Sequence, residues 1–203
     1  CHASMTSGPH GPLGARVDAG LLQYASESDR EAVHEARRGI QTAEDDLLVA
    51  KRKVTEAEGE LAIARESLAV AKANYQRAKV EARVEGDAPT EDRQVLNHRT
   101  AVWEAEHAVD ARELDIVVAK HGVTVAEQKR ELALAKVDLA AAKAVTATDR
   151  TETRRIDVVD FERAVRAEEA DVKVAEVRHE QAVQDAEANR AAAKEALQLR
   201  KNA

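Results

Sequence analysis

Large apolar residues recur at every seventh position from Val33: Val33, Ile40, Leu47, Val54, Leu61, Leu68 and Tyr75, then Ala82. Alanine sits three residues after each of the first seven, at Ala36, Ala43, Ala50, Ala57, Ala64, Ala71 and Ala78. This is a heptad with a bulky a position and a small d position, and such a seam is buried against another helix. Leu22, Ala25 and Asp29 extend the pattern backwards and place the helix start near Leu21. Ser28 with Glu31 three residues on is a capping-box signature, so a start near Ser28 is the alternative. Gly86 fits the left-handed position after a helix end, and Pro89 forbids a simple continuation. The first helix therefore spans residues 21–85.

Thr90 is positioned to cap a second helix, with Glu91 and Asp92 at its positive end. That helix spans 91–145. Its a positions are Val95, Val102, Val109, Ile116, Val123, Arg130 and Val137; its d positions include His98, Ala105, Arg112, Ala119, Ala126, Ala133 and Ala140. A second apolar row runs Val118, Val125, Leu132 and Leu139. Two rows on one helix point to two neighbours. Thr148 with Asp149 reads as the cap of a third helix over 150–198. Val158, Phe161, Val165, Val172, Ala175, Ala182, Ala186, Ala193 and Ala196 carry its seam, interrupted by Glu168, His179 and Asn189.

The predicted fold class is all-α: a long antiparallel three-helix bundle, or coiled coil, with an alanine-rich heptad seam. Each helix is about 75 to 90 Å long, and the short connections make neighbours antiparallel. A two-helix hairpin with a loose third helix is the alternative. Residues 21–203 form this helical rod. Residues 1–20, rich in Gly, Pro, Ser and His, read as a flexible leader or tether. Alanine layers bury little area, so stability must come from length, helix propensity and charge pairs such as Glu162 with Arg166.

Composition fits that reading. The chain has 203 residues with one Trp, one Phe and two Tyr, too few bulky fillers for a globular core. Its net charge is −7, from 38 acidic and 31 basic side chains. The signs are interspersed, so no basic stripe exists for phosphates and no nucleic-acid partner is expected. No apolar run reaches the length of a membrane span. Cys1 is the single cysteine, which rules out an internal disulfide.

Candidate chemistry is sparse. Glu-x-x-His occurs at Glu31/His34, Glu104/His107 and Glu176/His179, a spacing that holds metal ions in some helical bundles. In an antiparallel rod the three pairs lie at different levels, which leaves them as solvated surface pairs. His98, Arg112 and Arg130 interrupt the second seam. They form a buried polar site, or their stems cover the seam while their heads reach water, or they fix the register. Tyr75 and Trp103 come to one level when the first two helices pair. They form local packing near the first turn or a partner-binding hot spot. Val118, Val125 and Leu132, left partly uncovered, favour self-association or a protein partner. Gly39, Gly59 and Gly122 are tolerated within helices or mark close approach. No phosphate loop or catalytic order stands out, so no enzyme activity, small-molecule substrate, metal or cofactor is expected.

Cys1 followed by the Gly/Pro leader resembles the start of a mature bacterial lipoprotein. The resemblance implies diacylglycerol on the Cys1 sulfur, an acyl group on its amino nitrogen, and, with His2 rather than Asp, sorting to the outer membrane. A segment ahead of Met5 that is foreign to the protein is the alternative origin of Cys1. The helical body is similar to murein-lipoprotein-like spacers, but it has turns and ends Leu199-Arg200-Lys201-Asn202-Ala203 rather than in a terminal lysine. The resemblance implies a lipid-anchored scaffold of the bacterial envelope, periplasmic or surface-facing. The alternative is a BAR-like curvature binder or a self-assembling helical module. The BAR-like reading requires a concentrated basic face, which the mixed charge does not supply.

Overall fold

Ser26 begins the first long helix. Its Oγ accepts the Asp29 backbone N–H at 3.1 Å, which satisfies one of the donors a helix start leaves open. Glu27 and Asp29 put negative charge in the first turn, where the helix dipole favours it. Helix α1 accordingly spans Glu27–Glu85 in the computed structural model, which describes residues 17, 19–85, 92–148 and 156–201. The start lies six residues after Leu21 and close to the Ser28 alternative. Ser26 and Asp29, not Ser28 and Glu31, make the cap. Ahead of it, Ala19–Tyr24 is a 3-10 helix. It seats Leu22 and Ala25 in a cluster with Val33, Ala140, Ala141 and Ala144, and Val17 packs there too. Burial of Leu22 and Ala25 thus holds the chain in the tighter turn before Ser26. Cys1 and all other leader residues before Val17 lie outside the described residues.

Helix α2 spans Arg93–Thr146. Asp92 is its cap, accepting the Val95 N–H at 2.9 Å; Gly86, Pro89 and Thr90 lie outside the described residues. Thr148, expected to open the third helix, instead closes the second. Its hydroxyl donates to the Val145 carbonyl at 2.7 Å, and Thr146 donates to that of Ala142 at 2.9 Å. Two carbonyls at the helix end thereby gain donors. Helix α3 spans Val158–Lys201 and is capped by Asp157, whose Oδ1 accepts the Val159 N–H at 2.9 Å. It starts eight residues later than expected; residues 149–155 lie outside the described ones.

The described residues are helical and contain no strand, and α2 packs on both α1 and α3 in an all-α three-helix bundle. The α1 seam follows the heptad closely. Every a and d position from Val33 to Ala82 is buried or partly buried, and nearly every other position of the helix is exposed. Most of α2 is neither fully buried nor fully exposed, as two neighbours require.

The chain divides into two compact units, Cys1–Ala50 with Gly122–Arg178 and Lys51–His121 with His179–Ala203. In the first unit the core holds Val33, Ala43, Ala126, Ala135, Ala142, Val145, Phe161, Val165, Val172 and Ala175. Val145 is fully enclosed. Lys129 pairs with Glu176 at 2.9 Å and Lys143 with Glu162 at 3.1 Å. Fourteen residues forward on α2 match fourteen back on α3, so these helices are antiparallel. Glu162 thus takes Lys143 rather than the expected Arg166. In the second unit, Arg65 pairs with Glu113 at 2.8 Å and Lys72 with Glu106 at 3.0 Å. Seven residues forward on α1 match seven back on α2. All four pairs are largely solvent-exposed. Each contributes about 1 kcal/mol or less and chiefly marks the register.

Gly39 and Gly59 have open space around the position a Cβ would take. They are tolerated within the helix and do not mark close approach.

Candidate functional site

Small residues on α3 in the second unit leave room beside α2. Ala193 and Leu197 face Ala108 and Ala111 across a groove of about 370 Å³. Trp103, Glu104, His107, Arg112, Asp115, Arg190 and Lys194 complete its lining. A companion hollow of about 320 Å³ runs along His107, Leu114, Asn189, Ala192 and Ala196. An alanine methyl fills far less of the space between two helices than a valine or leucine, so the groove is the direct consequence of an alanine seam.

Trp103 is half-buried at one end of the groove. His107, one turn on, meets its indole edge-on with ring centroids 4.0 Å apart. The Arg200 guanidinium of α3 lies 4.9 Å from the indole centroid, a cation–π contact. At the other end, Asp115 of α2 is a charge hub, with its side chain 23 % exposed. It accepts from Arg112 at 3.1 Å and from Arg190 of α3. Arg112 also reaches Glu60 of α1 at 2.8 Å. The groove thus has an aromatic end, an alanine floor and a compensated ionic end.

No family model, curated protein or solved structure matches this chain. Its chemistry rests on its own geometry.

Trp103 and Tyr75, expected at one level, serve different contacts. Tyr75 packs against the α1–α2 cluster of Ala78, Ala82 and Val95, with Lys79 Nζ 5.4 Å from its ring centroid. Trp103 meets α3 through Arg200. Val118 in the second unit, and Val125 and Leu132 in the first, are all partly buried. Of the polar seam residues, Arg112 and Arg130 send their heads to α1. Arg130 Nε lies 3.5 Å from Glu44 and its Nη1 3.0 Å from Glu131. Both heads thus lie at the edge of the seam and pair across to α1. His98 is half-buried. Among the described residues no three His, Cys, Asp or Glu side chains converge as metal ligands, and no helix is long and apolar enough to cross a membrane.

Asp115, Arg190 and Arg200 escape a heptad reading. The seam singles out Asn189, which is exposed; its neighbour Arg190 turns inward to Asp115. Only the α2–α3 register, which sets residue 115 beside residue 190, would have pointed to them.

Proposed function

We propose that this chain is a non-enzymatic structural protein, a coiled-coil scaffold that presents helix faces and one groove to a protein partner. The observation that carries the reading is the unbroken burial of the α1 seam from Val33 to Ala82, matched by an almost wholly exposed remainder. A helix that keeps one seam buried along most of its length and leaves the rest of its surface exposed is built for extent and surface. The groove beside Trp103 is the place for the partner. A half-buried tryptophan flanked by arginine has the composition of an interface hot spot.

A photo-reactive residue at Ala108, in the groove lining, tests this in the native host. The expected result is one discrete cross-linked adduct from Ala108 and none from the exposed α1 residue Gln41. The same ladder from both positions, or no adduct from either, would contradict the reading.

Attachment to a bacterial outer membrane, periplasmic or surface-facing, through acyl groups on Cys1 is the second part of the proposal. It is supported by the lipoprotein resemblance of the leader. Mass spectrometry of the native protein is expected to show Cys1 heavier by a diacylglycerol and a fatty acid, the several chains that firm anchoring needs. An unmodified native Cys1 would remove the anchor and leave the scaffold.

A further inference from the structure

In the second unit, α1 has a second heptad on the side away from α2. One row holds Ile63, Val70, Arg77 and Val84, and the positions between carry Gly59, Glu66, Ala73 and Val80. Ile63 is 66 % exposed, Val70 56 %, Val80 59 % and Val84 82 %. The flanks from residue 62 to 76, namely Ala62, Ser67, Ala69, Asn74 and Gln76, are uncharged and exposed in a chain that is 34 % charged, while Glu81 and Arg83 flank the Val80–Val84 end. The charged residues nearer α2 are already committed: Arg65 to Glu113, Lys72 to Glu106 and Glu60 to Arg112. What remains outward is a neutral apolar stripe interrupted by two charges, Glu66 and Arg77.

We propose that this stripe is a self-association surface, through which two copies of the chain pair antiparallel about a two-fold axis between residues 71 and 72. An antiparallel helix pair sets each a-type residue against a d-type residue of its partner, and a two-fold axis makes every such contact occur twice. With the axis there, Val70 meets Ala73, Ile63 meets Val80 and Val84 meets Gly59, large against small or large against large. The one remaining layer sets Glu66 against Arg77. A slip of one heptad in either direction places Glu66 against Val70 or Val84 and leaves its charge facing a methyl group. The register is therefore fixed by charge, and a second copy supplies the complement in the right order. Glu66 has no ion-pair partner within the chain among the described residues. Arg77 bonds only Glu81, at 2.7 Å on its own exposed face, and keeps donors for a second carboxylate. This surface is distinct from the groove and stands whether or not a partner docks there.

Sedimentation equilibrium of the full chain under reducing conditions tests the pairing over about a hundredfold range of concentration around the micromolar affinities of modest interfaces. A monomer–dimer equilibrium is expected. Glu66→Arg alone, and Arg77→Glu alone, should each weaken dimerisation about tenfold, because two charge pairs per dimer become like-charge contacts. The double variant E66R/R77E should restore it. In a Cys1→Ser background, mixing Val70→Cys chains with Ala73→Cys chains should give a disulfide between unlike chains faster than either gives with itself. Circular dichroism should show all variants equally helical, since the side chains at positions 66, 70, 73 and 77 are exposed. A strict monomer would overturn the proposal. So would a dimer that ignores the single reversals, or one that the double reversal fails to restore.

Discussion

In the first unit, α3 offers Phe161, Val165 and Val172 to α2, all at most 8 % exposed, and the contact closes over them. In the second unit the same helix, in the same heptad, offers Ala182, Ala186, Ala193 and Ala196, and of these only Ala186 is fully buried. There the contact is bordered by the two hollows, and arginines bridge it. The difference is one of knob volume, not of pattern. A heptad decides which side of a helix faces its neighbour; the size of the residue on that side decides whether the space between is filled. Where valine and phenylalanine fill it, the stabilisation comes from buried apolar area. Where alanine leaves it open, polar side chains enter and the site gains chemistry at the cost of packing.

The largest effect should come from emptying the closed region. Phe161→Ala is expected to destabilise by about 3–5 kcal/mol, because it removes the one phenylalanine from a packed contact. Chemical denaturation followed by circular dichroism reads this as a lower midpoint. A loss under about 1 kcal/mol would mean that Phe161 is poorly packed.

Overpacking gives the next effect and tests the α1 register. Ala57 is buried and Ala62 exposed on the same helix. Ala57→Leu should cost about 1–3 kcal/mol, and Ala62→Leu less than about 0.5 kcal/mol. Equal thermal shifts for the two would remove the case for this seam.

The ionic end of the groove should matter less. Asp115→Ala frees Arg112 and Arg190, whose heads already reach water, with side chains 45 % and 40 % exposed. The expected loss is about 1 kcal/mol, and it should shrink as salt is added. A salt-independent loss would place the carboxylate in a drier setting than its exposure implies. A modest gain is also expected: Gly59→Ala meets open space on a helix and should raise stability by about 0.5–1 kcal/mol.

The heptad arithmetic made the bundle legible before any coordinate, because side-chain period and helix burial are tied by geometry alone. The α1 seam, the two-sided burial of α2 and the α3 seam from Val158 to Ala196 all follow from it. Helix ends were less legible. Ser, Thr and Asp are common near each boundary, and several candidates compete to cap. Ser28 matches the capping-box pattern and Ser26 does not, and Asp92 stands among several polar residues at its boundary. Thr148 has the residue type that opens a helix, yet it closes the one before. The groove was the least legible feature. A missing volume between two alanine faces leaves no signature in either helix alone, and Arg190 lies one position off the seam that the period marks. Trp103 and Tyr75 show the same limit: their level followed from the turn, but not which neighbour each would face.

Trp103 is the only tryptophan in the chain and lines the groove, so its fluorescence tests the knob-volume account directly. Acrylamide quenching should be substantial in the unaltered protein and fall in Ala193→Leu, as the leucine side chain narrows the groove along which the quencher reaches the indole. The emission should shift to the blue at the same time, with stability changed by less than about 0.5 kcal/mol. Ala175→Leu, at a buried position in the closed unit, should instead cost about 1–3 kcal/mol and leave Trp103 quenching unchanged. Unaltered quenching in Ala193→Leu, together with a stability loss as large as that of Ala175→Leu, would contradict the claim that alanine leaves the second contact open.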